Sequence, residues 1–167
     1  MAATKRRSDE EGFVRLVTTI PLRADPDQVA AVIDRGAATW LGDPVERPET
    51  PGMRRFAVDL RLRIGGESAG LTTFSKAAYL DLGTPSRTPT GWEVEIGWRA
   101  SSAAPLFPVF SGWLIIEVDR MRIEGIYAPP GGAVGRIADR ALLHVAANGT
   151  ARWLLGELDR AALGAAG

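Results

Sequence analysis

From Ala133 to Ala162 the chain reads AVGRIADRALLHVAANGTARWLLGELDRAA, and this run of roughly 30 residues, read as one helix, extends about 45 Å at 1.5 Å per residue. That is long enough to cross a whole β-sheet. Pro129-Pro130-Gly131-Gly132 marks its start. Val134, Ile137, Ala138, Ala141 and Val145 share a face in the first half, whereas Ala151, Leu155, Leu158 and Ala162 share one in the second, displaced by more than a quarter turn. The phase slips at Asn148-Gly149. A glycine in a helix interior costs about 1 kcal/mol relative to alanine, so the expectation there is a bend, or a helix that packs on different partners at its two ends.

Upstream of this helix lie mostly strands. Phe56, Val58, Leu60, Leu62 and Ile64 alternate with Arg55, Ala57, Asp59, Arg61 and Arg63, which puts one face in a core and the other in water. A second strand is expected over Leu71–Leu82, with the turn Gly83–Gly91 behind it. Trp92, Val94, Ile96 and Trp98 then alternate with polar residues or glycine. Phe110, Gly112, Leu114, Ile116 and Val118 line one face of the next strand, and Met121, Ile123, Gly125 and Tyr127 line the last. The short Asp119-Arg120 link between these two predicts an antiparallel hairpin.

The N-terminal part supplies one more strand, over Phe13–Ile20, and a helix. Asp25 suits the N-cap, Pro26 the first helical position and Gln28 the closing of a capping box. The helix is expected from about Pro26 to Leu41, with Gly42 to stop it. Three prolines make Asp43–Gly52 a loop. Residues 1–11 are expected as a flexible tail, with three cations and then acidic residues, and residues 12–167 as a single domain. The order of strand, helix, about five strands and long helix defines an α+β domain whose helix covers the concave face of an antiparallel sheet.

Composition excludes several classes of activity. Lys plus Arg is 20 and Asp plus Glu is 20, so the chain lacks the excess cation a dedicated nucleic-acid binder uses. It has no cysteine and one histidine, His144, which excludes thiol catalysis, Cys-ligated metal and a three-histidine zinc centre. No stretch approaches a membrane span, and no signal peptide is read at the N-terminus, so the expectation is a cytoplasmic protein without metal or other cofactor.

Motifs with a chemical reading are few. Gly131-Gly132-Ala133-Val134-Gly135 resembles a phosphate loop, yet the following lysine is missing and no second parallel strand can follow. Asn148-Gly149-Thr150 fits a glycosylation acceptor but falls inside a helix. His144 could be oriented by Asp119 or Asp139 toward Ser111 or Ser75, although no nucleophile elbow is present. Glu93 and Glu95 share the solvent face with Arg99 and read as a solvated charge cluster.

The aromatic residues are the most informative. Phe56, Trp92, Trp98, Phe110 and Tyr127 fall on inward faces, opposite a helix offering mainly small residues such as Ala138, Ala141, Ala146, Ala147 and Ala151. Two readings stay open: the helix sits close and fills the space, or the curved sheet holds it off and leaves an apolar cavity.

The runs Phe107-Pro108-Val109-Phe110-Ser111-Gly112-Trp113-Leu114 and Ile123-Glu124-Gly125-Ile126-Tyr127-Ala128-Pro129-Pro130-Gly131-Gly132-Ala133-Val134-Gly135 resemble the C-terminal half of bacterial START-like proteins, the SRPBCC or polyketide-cyclase-like superfamily. Asp139-Arg140 and His144-Val145-Ala146 continue the resemblance, and the strand followed by Ala24-Asp25-Pro26 resembles the same superfamily at the N-terminus. It implies a helix-grip fold, in which an antiparallel sheet of about six to seven strands wraps around the long C-terminal helix with a pocket between them. Members include lipid and sterol carriers, polyketide cyclases, quinone-binding proteins, hormone receptors and oxygenase domains. The oxygenase iron site needs two histidines, which this chain cannot supply.

Together these readings favour a domain that binds a small hydrophobic molecule, such as a lipid, polyketide, isoprenoid or aromatic metabolite, as a monomer or homodimer. The expected lining is Phe56, Val58, Phe74, Trp92, Ile96, Trp98, Leu114, Tyr127, Ala141 and Val145. The alternative is a metal-free cyclase or dehydratase in which His144, Tyr127 or Glu124 serves as acid or base. A third reading is an interaction or stress-response module with a filled core.

Overall fold

A computed structural model describes residues 13–41, 45–48, 52–64, 72–101, 109–128 and 137–165. The elements run β1 (Val14–Pro21), α1 (Pro26–Arg35), β2 (Val45–Pro48), β3 (Met53–Ile64), β4 (Thr72–Gly83), β5 (Ser86–Thr88), β6 (Gly91–Ala100), β7 (Val109–Glu117), β8 (Arg120–Ala128) and α2 (Ile137–Gly164). Every strand pairing is antiparallel, in the order β1-β8-β7-β6-β4-β3-β2, with the short β5 beside β6. The fold is α+β, with one curved sheet gripping a long C-terminal helix.

The alternation in sequence becomes the two faces of this sheet. Phe56, Val58 and Leu60 of β3, Val94, Ile96 and Trp98 of β6, and Phe110, Leu114 and Ile116 of β7 are buried on the inner face. Their neighbours Asp59, Arg61, Glu95, Arg99 and Ser111 stand in solvent. The hairpin between β7 and β8 turns at Val118-Asp119, as its short link predicts.

At α1, the Asp25 carboxylate accepts the Asp27 backbone N–H at 2.8 Å, and Gln28 Oε1 accepts the Asp25 N–H at 3.4 Å, completing the expected capping box around Pro26. The helix ends sooner than the expected Leu41. Gly36 takes φ 102°, a left-handed value that terminates the helix, and Ala37–Thr39 continue as a 3-10 turn. The Arg54 guanidinium donates to the last carbonyls, Ile33 O and Asp34 O, both at 2.7 Å. The proline-rich stretch expected as pure loop holds β2, paired with Arg54–Ala57 at the sheet edge, where proline costs no ladder bond. The expected turn Gly83–Gly91 likewise holds β5.

Helix α2 runs through Asn148-Gly149 without interruption, so the glycine does not end it. Its buried residues Leu143, Ala146, Ala147, Thr150, Ala151, Leu154, Leu155, Leu158, Asp159 and Ala162 form one continuous stripe. The apparent slip came from counting Val145 as buried, whereas it is 45% exposed. Val134 lies outside the described residues, as do the side chains of Ile137, Ala138 and Ala141. No helix among the described residues is long and apolar enough to cross a membrane.

The sheet curls so that its edges reach α2 from both sides. At one edge the Thr18 hydroxyl of β1 donates to Asn148 Oδ1 at 2.6 Å. At the other, the Thr150 hydroxyl donates to the Arg61 carbonyl of β3 at 3.5 Å, beyond the stretch of β3 that β2 covers. Two facing glycines permit the curl. Gly112 and Gly125 pair across β7 and β8, and a Cβ on Gly112 would lie 2.2 Å from Glu124 O, 2.7 Å from Gly125 Cα and 2.8 Å from Phe110 Cζ.

Overpacking of a core typically costs about 1–3 kcal/mol, so Gly112→Ala is expected to lower the melting temperature by roughly 5–10 °C. Gly156→Ala serves as the control: nothing lies within 4 Å of its added Cβ, and alanine's helix propensity should stabilise the chain by up to about 1 kcal/mol. Thermal unfolding of both variants checks the pair.

Candidate functional site

Six strands place one register row across the inner face. Phe56 faces Leu80, Leu80 faces Trp98, Trp98 faces Phe110, Phe110 faces Tyr127, and Tyr127 faces Val14. Four of these six are aromatic, and all four are buried. The Trp98 and Phe110 rings stack with centroids 4.0 Å apart and planes 18° apart. The Phe110 ring reaches over the Gly112–Gly125 pair, where any side chain would displace it.

The next row toward the hairpin is smaller, with Leu82, Ile96, Gly112, Gly125 and Leu16. Helix α2 packs chiefly on β3 and β1 and touches β8, whereas α1 lies over β6 and β7. The long helix is therefore held by the flanks of the sheet. The aromatic row spans the ground between those flanks.

Polar atoms are sparse in this interior. Tyr127, 1% exposed, places its hydroxyl 3.4 Å from Nδ1 of His144, a solvent-facing residue of α2, with the rings tilted and their centroids 6.1 Å apart. Which group donates is set by the imidazole tautomer. Trp98 is also 1% exposed, and its buried indole N–H has no hydrogen-bond partner among the described residues. An unsatisfied buried donor costs about 1–3 kcal/mol, so it marks a position where an acceptor would be welcome.

The structure sorts the expected site residues. Phe56, Ile96, Trp98, Leu114 and Tyr127 lie buried on the inner face, and Val58 is 8% exposed there. The side chains of Phe74 and Ala141 lie outside the described set. Val145 points to solvent, on the flank of α2 away from the buried stripe. Trp92 is half-buried at the far end of β6, where its indole N–H donates to Asp27 Oδ1 at 2.7 Å and Arg87 lies over its ring at 4.9 Å. It braces the start of α1, about 20 Å along the strand from Trp98 at ~3.3 Å per residue.

Glu124 is three residues from Tyr127 on β8 and so falls on the opposite, convex face, 3.6 Å from Arg122. The sheet separates it from Tyr127 and His144. Among the described residues, no group of three or more metal-ligating side chains is gathered.

Besides Thr150, sequence reasoning missed the buried polar anchors Thr18 and Asp159, each 2% exposed. The Asp159 carboxylate accepts the backbone N–H groups of Arg23 at 3.0 Å and Ala24 at 3.2 Å, and Nε of Arg23 at 2.7 Å. It ties the connection between β1 and α1 to α2. Both could have been found from their phase, since each sits in an otherwise apolar stripe.

Comparison with known proteins places this geometry in a class. No family model matches the sequence, and no curated protein matches it. Among solved structures, the di-domain aromatase/cyclase BexL from the BE-7585A biosynthetic pathway superposes with a TM-score of 0.60 at 16% identity, covering 93% of this chain and 52% of its own. The aromatase/cyclase Zhui from a Streptomyces species gives 0.56 at 12% identity, covering 90% of this chain and 94% of its own. The di-domain StfQ from the steffimycin pathway gives 0.51 at 11%, covering 93% and 52%. The chain thus spans about half the length of the di-domain proteins and nearly all of Zhui. Its fold, a curved antiparallel sheet gripping a long C-terminal helix, is the one these aromatase/cyclase structures have.

Burial tends to raise the Asp159 carboxyl pKa, but the hydrogen bonds and charge supplied by Arg23 and Ala24 outweigh it and hold the group below the usual carboxylate value. Its stabilising contribution is therefore present above the unfolded-state value of about 3.9 and is lost as pH falls through the lower folded value. Asp159→Asn should cost about 2–4 kcal/mol at neutral pH, and the gap to wild type should narrow in acid below about pH 4. Urea unfolding at neutral and acid pH measures both effects.

Proposed function

We propose that the inner face binds a small, largely apolar molecule with an aromatic or polyketide framework, and that Trp98 donates a hydrogen bond to an oxygen on it. The observation that carries this reading is the orphan Trp98 N–H at the centre of a row of buried aromatic rings, on ground between the strands that hold α2. Stacked indole and phenyl rings offer flat apolar area to a planar ligand, and burial of apolar surface contributes about 25 cal/mol per Å². The fold's likeness to BexL, Zhui and StfQ, each an aromatase/cyclase, supports a ligand of that chemical kind.

A second reading has its own observation. The contact between the Tyr127 hydroxyl and His144 Nδ1 joins a buried hydroxyl to a solvent-facing imidazole, a path along which a proton can enter or leave the interior. Aldol ring closure needs a proton taken from carbon and one delivered to a carbonyl oxygen, work suited to such a pair. In this reading the domain is a metal-free cyclase or dehydratase, and Glu124 has no part in it. Tyr127→Phe and His144→Ala would each abolish turnover of a poly-ketone mimic while leaving ligand binding in place; a pure carrier shows no turnover to lose.

The test of binding is a thermal shift with a hydroxylated anthraquinone. At about 100 times its dissociation constant a ligand of the folded state adds roughly 2.7 kcal/mol, or about 5–10 °C for a chain of this size. Trp98→Phe keeps a ring and deletes the donor, so it should weaken binding roughly tenfold without lowering the melting temperature of the free protein, because the deleted N–H was a buried donor without a partner among the described residues. No shift with any member of an aromatic and lipid panel would leave the filled-core reading standing.

A further inference from the structure

On the flank of α2, outside the grip, a groove of about 350 Å³ opens between that helix and β3. This is within the roughly 300–1,000 Å³ typical of small-molecule sites. Gly149 and Gly156 keep its helical wall low, while Arg152 and Trp153 rise between them and Arg61 faces them from the strand. Glu157 and Arg160 close the far end as an ion pair. Arg61 and Arg152 are exposed, and neither has an ion-pair partner among the described residues. Trp153 is half-buried, and its indole N–H is buried without a hydrogen-bond partner among them.

Three guanidinium groups against one carboxylate give the lining a net charge of +2. Guanidinium groups present planar, paired donors that suit oxyanions with several equivalent oxygens, and a phosphate monoester carries about −1.5 to −2 at neutral pH. Two solvated arginines in the open would be an ordinary surface. Here they come from different elements and flank a concave site that the half-buried Trp153 also lines. A carboxylate, with a single charge, would leave one of them unmatched.

We propose that this groove binds a phosphate monoester through Arg61 and Arg152, with Trp153 forming its floor. The site is separate from the aromatic row and does not rest on the function proposed above. The phosphate could belong to a free metabolite or to a lipid headgroup, and the two are distinguished by experiment.

The full chain, labelled with ¹⁵N, is titrated with glycerol 3-phosphate while the indole N–H resonances are followed, Trp153 being assigned by its absence in Trp153→Phe. The expected result is a saturable shift of the Trp153 resonance with that of Trp98 unmoved, and a dissociation constant at least tenfold weaker in Arg61→Gln/Arg152→Gln. Each single substitution, expected to weaken binding severalfold, serves if the double variant melts early. In a parallel arm, sedimentation with phosphatidylcholine vesicles containing phosphatidic acid, lost in the same variants, assigns the phosphate to a headgroup; saturation in the soluble arm alone assigns it to a free monoester. Absence of binding in both arms overturns the proposal. So does an equal shift with sodium chloride at matched ionic strength, or binding that survives the arginine substitutions.

Discussion

Helix α2 is fastened to both edges of one sheet, and the rest of the structure follows from that constraint. Residues two apart on the helix reach in opposite directions: Asn148 accepts from Thr18 on β1, and Thr150 donates to the Arg61 carbonyl on β3. Laid flat, the six strands from β1 to β3 would span roughly 24 Å at about 4.7 Å per interval, far too wide for one helix of about 10 Å diameter to bridge. The sheet must therefore curl, and its middle strands must stand back. The helix also satisfies an edge that β2 leaves uncovered, the position at which an open sheet invites pairing with another chain.

The curl in turn decides where bulk and smallness go. The paired Gly112 and Gly125 allow β7 and β8 to approach where any Cβ would collide with backbone. The space they leave is taken by the Phe110 ring, which lets Trp98 stack upon it. The buried stripe of α2 is rich in alanine around Ala146, Ala147 and Ala151, so that part of the helix projects little toward the rings. Large residues on the sheet and small ones on the helix are two consequences of one geometry. At the other end, α1 is fixed by Arg54 at its C-terminus, by Trp92 and Arg87 on Asp27 at its N-terminus, and by Asp159 through the preceding loop.

Much of this was legible in the sequence because period-two alternation is a strong signal on a sheet with one wet face. Phe56, Val58 and Leu60 on β3, or Val94, Ile96 and Trp98 on β6, could be assigned to the inside by parity alone. Parity failed at Val118, which falls in the turn after β7 and is 78% exposed, and a chemical temptation overrode it at Glu124, which alternates with Ile123 and Gly125. Helix α2 was harder. Its stripe is wide and includes Thr150 and Asp159, so apolarity alone placed Val145 on the buried face and made the stripe seem to change phase at Asn148-Gly149. Trp92 and Trp98 share a face, and only the position of α1 reveals that one braces a helix while the other lies among the aromatic row. That distinction is tertiary and leaves no local trace.

The buried indole N–H groups bear on what the fold is for. Trp40, Trp98 and Trp153 each hold one without a partner among the described residues, while Trp92 has found Asp27. Tryptophan could be replaced by phenylalanine wherever only bulk and a flat ring are required, and the replacement would remove an unsatisfied donor costing about 1–3 kcal/mol. A core selected for stability alone would favour that exchange at Trp98, which already stacks face to face with a phenylalanine. Retaining the indole makes physical sense if its N–H meets an acceptor part of the time, which is the condition a binding site imposes. The flank of α2 carries a groove of opposite character: one face of the helix turns small apolar residues toward stacked rings, and its flank turns arginines toward solvent. A single helix thereby separates two chemical environments, and a ligand suited to either would be rejected by the other on desolvation grounds alone.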